Sequence, residues 1–166
     1  MNQKCASCGS NISMQDEVCS YCGTPNPDYR PPGQRLNQLL EQGMDAFQSA
    51  RFAEAVDCYQ QAVNIEPEMF EPYFYLAASY SALKRYEDAI QAMQKAQTLR
   101  PDNAPIYLNL GILCKQAGRR EEAQTYLEKA LEVAQSQPSR DSQDQLIQNI
   151  LKELSEFKRK KRFGIF

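Results

Sequence analysis

A spacing of 34 residues recurs along this chain and constrains its fold more than any other feature. Pro67 and Pro101 are separated by it, as are Ala55, Ala89 and Ala123, and again Ala62, Ala96 and Ala130. Gly43, Ala77 and Gly111 form a further series of small residues at the same interval. A fixed period of this length marks a helix-turn-helix unit that stacks on its neighbours into a solenoid, because one unit alone cannot bury its apolar face. Small residues at the repeated positions let paired helices approach where a larger side chain would hold them apart. The apolar spacing predicts helices over 36–49, 52–65, 70–83, 86–99, 104–117 and 120–135. A seventh follows, opened by the capping-box pattern Ser142-Gln143-Asp144-Gln145 and carrying Leu146, Ile147, Ile150, Leu151, Leu154 and Phe157 on one face. Such a helix covers the end of the last repeat.

The three copies resemble the tetratricopeptide repeat family. The second copy fits its pattern best, with Tyr73, Leu76, Ala77, Tyr80, Tyr86, Ala89, Met93, Ala96 and Pro101. The first offers Leu39, Gly43, Phe52, Ala55, Tyr59, Ala62 and Pro67, and the third Tyr107, Leu110, Gly111, Gly118, Ala123, Leu127 and Ala130. Gln42 replaces the usual Leu, while Arg120 and Gln135 replace the aromatic and the Pro of the third copy. The resemblance implies a right-handed α-solenoid of three helix pairs.

Histidine is absent, which removes Ser-His-Asp triads, Cys-His dyads and imidazole proton shuttles together. No glycine spacing fits a Walker A or GxGxxG loop. No enzyme is expected. Formal net charge is -2, yet Lys158, Arg159, Lys160, Lys161 and Arg162 alone supply five positive charges, so the rest of the chain is acidic and only the tail basic. Met1 to Cys8 hold no apolar stretch of a secretory leader, and no long apolar run follows, so a cytoplasmic location is expected.

Residues 1–27 differ in kind from the remainder. Cys5-Ala6-Ser7-Cys8-Gly9 and Cys19-Ser20-Tyr21-Cys22-Gly23 are two Cys-x2-Cys-Gly knuckles. Each sets two thiolates on one side of a tight turn, with glycine allowing the positive φ the turn needs, and two knuckles close a four-thiolate site. They resemble the short bacterial zinc ribbon, packed around Ile12, Met14, Val18 and Tyr21. The expected cofactor is one structural zinc on Cys5, Cys8, Cys19 and Cys22. Iron and a redox-labile dithiol remain as alternatives. Disulfides are disfavoured in a reducing compartment, and a thioredoxin-like motif would need a strand and a helix around one Cys-x2-Cys. Cys58 and Cys114 read as small packed hydrophobes.

Pro25, Pro27, Pro31 and Pro32 separate the two parts. The organisation expected is therefore a zinc ribbon over 1–27, a Pro-rich linker over 28–34, three repeats over 35–137, and a capping helix with a basic-aromatic tail over 138–166. The fold class is mostly α.

In the repeat family the first helices of the pairs line a concave face that holds peptides. The matching positions here are Leu40 and Met44, Phe74 and Ala78, Leu108 and Ile112, with Asn37, Glu71, Tyr75 and Lys115 around them. Family members that clamp the terminal carboxylate of heat-shock chaperones use Lys and Asn where Leu40, Met44 and Tyr75 stand, so that activity is not expected. The alternative is that these side chains only complete packing between repeats. The partner expected is a protein or peptide, bound to Leu40, Met44, Phe74, Tyr75, Leu108, Ile112 and Lys115. Nucleic acid is disfavoured, since the ribbon carries only Lys4 against Asp16 and Glu17, and no small-molecule substrate is expected.

Lys158 to Arg162, followed by Phe163-Gly164-Ile165-Phe166, could touch an anionic membrane surface, dock Phe163 and Phe166 in a groove, or simply end a helix whose carboxyl end favours positive charge. Two function classes follow: an interaction adaptor with the ribbon as second docking surface, and a redox-responsive regulator in which thiolate oxidation expels zinc.

Overall fold

The computed structural model describes residues 3–13, 16–29, 31–136 and 141–162. Two short antiparallel strands come first: β1 (Gln3–Lys4) pairs with β2 (Asn11–Ile12), Gln3 opposite Ile12 and Lys4 opposite Asn11. A further bridge joins Val18 to Pro25. Seven helices follow: α1 (Pro32–Gln48), α2 (Phe52–Ile65), α3 (Phe70–Ala82), α4 (Tyr86–Leu99), α5 (Ala104–Gln116), α6 (Arg120–Ser136) and α7 (Asp141–Arg162).

Helix bounds agree with the periodic reading to within a residue or two except at the start of α1. That helix takes in Pro32 and Gly33, both expected in the linker. Proline is compatible with the first helical turn because the N–H it lacks would have no partner there.

Each helix packs chiefly on its neighbours in sequence, as stacked pairs do. The alanines of the two all-alanine series, Ala55, Ala62, Ala89, Ala96, Ala123 and Ala130, are all 0% exposed. The glycine series has a steric origin. A Cβ on Gly43 would lie 2.8 Å from Cε1 of Tyr59, and one on Gly111 would lie 2.6 Å from Cγ of Leu127. Those distances leave no room for a methyl group between the paired helices.

The turn inside each pair repeats as well. Ala50, Lys84 and Gly118, again 34 residues apart, have φ of 56°, 60° and 80°. In each case the next amide reaches back five residues: Arg51 to the Ala46 carbonyl, Arg85 to Tyr80, and Arg119 to Cys114. This is the Schellman closure of a helix end, and only the third copy uses the glycine that favours it. One core runs from α1 through α6, and a second joins α5, α6 and α7 around Tyr107, Leu127, Ala130, Ile150 and Leu154. Cys114 lies fully buried in the first, and Cys58 is half-buried.

Candidate functional sites: a four-cysteine cluster and an apolar groove

The two knuckles fold alike because their sequences are alike. Cys5 N–H donates to the Ser10 carbonyl and Gly9 N–H to Cys5; Cys19 N–H donates to Thr24 and Gly23 N–H to Cys19. Gly9 and Gly23 adopt φ of 71° and 70°, the left-handed conformation that glycine accepts without cost from a Cβ. Asn26, buried beyond the second knuckle, holds the intervening loop by donating to the Ser13 and Asp16 carbonyls, each at 2.9 Å.

This brings Cys5, Cys8, Cys19 and Cys22 together, with all four Sγ atoms within 4.8 Å of one another. Cys5 and Cys22 stand 3.6 Å apart, as do Cys8 and Cys19. Four thiolates around zinc lie about 3.8 Å from each other, the edge of a tetrahedron with bonds of about 2.3 Å. The donor set therefore fits a metal ion, and none of the four is in a disulfide. The first cysteine of each knuckle is buried and the second exposed.

Beside the exposed pair sit two hydroxyl groups that the sequence reading missed. Ser10 Oγ lies 3.3 Å from Cys8 Sγ, and Thr24 Oγ1 lies 3.2 Å from Cys22 Sγ. The Thr24 hydroxyl, then its backbone amide, draw the Cys22 thiol down to about 6, and Ser10 lowers Cys8 in the same way. Both effects favour the ionised sulfur that a metal ligand needs. The signal was present in sequence: each knuckle reads Cys-Gly-Ser or Cys-Gly-Thr at its end.

On the first helices of the pairs, Leu40, Met44, Phe74, Tyr75, Ala78, Leu108 and Ile112 are all half-buried. Phe74, Ala78 and Ile112 converge with Ser81, Met93 and Asn109 on a groove of about 210 Å³ between α3 and α5. Leu40 and Phe74 pack on the main core, whereas Leu108 packs on the second core with α6 and α7. Tyr75 is used within the fold, stacked on Tyr59 with ring centroids 5.5 Å apart.

Two of the expected positions make contacts within the fold. Lys115, expected to face a partner, is engaged by α7: its Nζ lies 2.6 Å from Glu153 Oε2 and 3.0 Å from Glu156 Oε2. Glu71 pairs with Arg100 at 3.8 Å. A larger depression of about 480 Å³, lined by Gln60, Tyr73, Tyr80, Gln91 and Lys95, was not anticipated, since its side chains come from three helices with no shared motif. Met14, Phe163, Gly164, Ile165 and Phe166 lie outside the described residues, as do the side chains of Ser142 and of Lys158 to Arg162. Among the described residues, no helix is long and apolar enough to cross a membrane.

Comparison with known proteins concerns the helical part. The chain is 34% identical over 100 residues to Protein STIP1 homolog of Dictyostelium discoideum, a match covering 60% of this chain and 18% of that protein. It is 38% identical over 58 residues to the Type IV pilus assembly protein PilF of Pseudomonas aeruginosa, covering 34% of this chain and 23% of the other. Both matches span less than a quarter of the relatives' length. Among solved structures, PcrH in complex with the chaperone binding region of PopD superposes with a TM-score of 0.71 at 19% identity, covering 78% of this chain and 95% of that one. That likeness is one of fold. Residues 68–136 match the tetratricopeptide repeat family, and a further helix pair precedes them at the same 34-residue spacing, so the helical part of this chain has the fold of a tetratricopeptide-repeat solenoid.

Proposed function

We propose that this protein is a cytoplasmic, non-enzymatic interaction adaptor, whose concave face holds an apolar or helical segment of a protein partner and whose ribbon, built on one structural zinc, offers a second docking surface. The observation that carries the reading is the groove between α3 and α5, where Phe74, Ala78 and Ile112 remain partly open to solvent although their neighbours complete the core. Contiguous apolar surface of this kind marks a partner site more often than scattered residues do, and an amphipathic helix laid in a groove is a common way to fill one. PcrH with its PopD segment, and Spaghetti (RPAP3) bound to an HSP90 peptide, are solenoids of this fold that hold peptides. Four closely placed thiols support zinc, because four thiolates satisfy its coordination and leave no position for a catalytic water.

The test is a displayed library of 15- to 20-residue peptides (about four to five helical turns), selected on the intact chain. Phe74→Ala should weaken the selected peptides at least about tenfold while the melting temperature changes little. A large loss of stability with peptide binding intact would instead make Phe74 a packing residue. A second reading, redox control of the ribbon, is favoured by the exposure of Cys8 and Cys22. Zinc content and peptide binding before and after mild peroxide decide it: zinc loss with binding unchanged removes the regulatory role.

A further inference from the structure

We propose that the open end of the third repeat is a docking seat for an amphipathic helix that carries an acidic pair beside its apolar stripe, and that α7 is the removable occupant that fills it in cis. The seat is separate from the α3–α5 groove. It is the surface on which a fourth repeat would stack its first helix, and Ala104, Tyr107, Leu127, Ala130, Val133 and Ala134 cluster there. α7 lays Leu146, Ile150, Leu154 and Phe157 against it, a stripe spaced by three and four residues.

Charge specifies the occupant. At the three positions 34 residues apart on α1, α3 and α5 stand Phe47, Ser81 and Lys115, so the cation occurs only in the repeat that meets α7. Its ammonium group binds two carboxylates one turn apart, Glu153 and Glu156. An acidic pair at i and i+3 beside an apolar stripe is thus the chemistry the seat selects, and α7 displays it in place.

The attachment is also weak enough to exchange. Among the described side chains of α7, Ile150 and Leu154 are buried, whereas α4 buries five residues, Ala89, Ile90, Ala92, Met93 and Ala96. The ion pairs are partly exposed to water, with side-chain exposures of 33%, 23% and 44% for Lys115, Glu153 and Glu156. Such pairs hold loosely, and an element with few buried contacts opens well before the whole fold. At the amino end Gln143 Nε2 donates to the Ala134 carbonyl and ties α7 to α6. A partner helix with the same stripe and acidic pair can therefore compete for the seat, and α7 sets the threshold it must exceed.

The experiment uses the full chain and a fluorescein-labelled peptide of residues 141–162. In the host, Glu153→Gln with Glu156→Gln removes the internal acidic pair while leaving the stripe. The native-sequence peptide should bind this host about tenfold more tightly than wild type by fluorescence anisotropy. Adding Lys115→Gln to the host should abolish the gain, and a peptide carrying Gln at both positions should show none. Hydrogen exchange should open α7 in the variant host while α4 stays protected. Equal peptide affinity for both hosts, or α7 amides that exchange only with global unfolding, would overturn the proposal. Dimerisation of the wild-type chain that Lys115→Gln abolishes would overturn the partner in favour of a second copy's α7. Because Phe74 is not in the seat, failure here leaves the groove assay unaffected.

Discussion

Replacing Gly111 by Ala sets two effects of known size against each other. In a helix interior Ala is favoured over Gly by about 0.8–1.0 kcal/mol, so propensity alone predicts a more stable protein. The structure predicts the opposite. The new Cβ would lie 2.6 Å from Leu127 Cγ, 2.8 Å from its Cδ2 and 3.2 Å from the Ala123 carbonyl oxygen. Carbon atoms pack at about 3.5–4.0 Å, so the shortest contact falls short by about 1 Å, and Leu127 is 0% exposed within the core. Overpacking of this kind costs about 1–3 kcal/mol, and with the closest approach the upper part of that range applies. The net expectation is a loss of about 1–2 kcal/mol, or a fall in melting temperature of about 2–8 °C for a chain of this size. The second repeat shows how the clash is relieved: at the equivalent positions stand Ala77, fully buried, and Met93, whose unbranched γ-carbon leaves space for a methyl. Gly111→Ala with Leu127→Met should therefore recover most of the loss. Gly33→Ala, where a Cβ meets nothing within 4 Å, is the control and should be neutral or slightly stabilising. Circular dichroism at 222 nm during heating and in urea measures all four proteins. If Gly111→Ala raises stability as Gly33→Ala does, or if residue 127 makes no difference, the steric account of the small-residue series is wrong.

Other perturbations follow from the same contacts. The Tyr59 hydroxyl is buried with no hydrogen-bond partner among the described residues, so Tyr59→Phe should be neutral or raise the urea midpoint, since it removes a desolvated group that costs about 1–3 kcal/mol. Burial, then the nearby Tyr75, push the Tyr59 phenol from 10 up to about 12. The stability from keeping it neutral is fully present below pH 10 and lost as pH rises towards 12. Tyr59→Phe should flatten that alkaline decline, and identical alkaline unfolding in both proteins would contradict it. Cys19→Ser should abolish zinc binding, measured by elemental analysis, while the helical signal persists; cooperative loss of helix on zinc removal would refute independent folding of residues 35–157. If Lys158 to Phe166 touch membranes, the chain should co-sediment with anionic but not neutral vesicles and lose this on deletion of 158–166. Equal weak binding in all four combinations would eliminate the membrane reading.

How far the fold could be read in advance depended on how local the information was. Period, helix bounds and the two knuckles were legible because each is fixed by residues a few positions apart: alanines on one face, a Schellman turn, glycine after the second cysteine. The four-thiolate cluster was legible too, since two turns of one design leave their sulfurs little choice but to meet. Sequence also supplied the small-residue series, and with it the close approach of the paired helices. Tertiary structure alone decided which apolar side chains stay open. Phe74 and Ile112 line a groove, Tyr75 stacks on Tyr59 and Leu108 packs with α6 and α7, although all four have similar patterning along their helices. It also decided the role of Lys115, whose partners lie 38 and 41 residues away. An ion pair at that separation has no periodic signature; it depends on where α7 lands on the last repeat, which is settled by the packing of Ile150 and Leu154 and not by any pattern around residue 115.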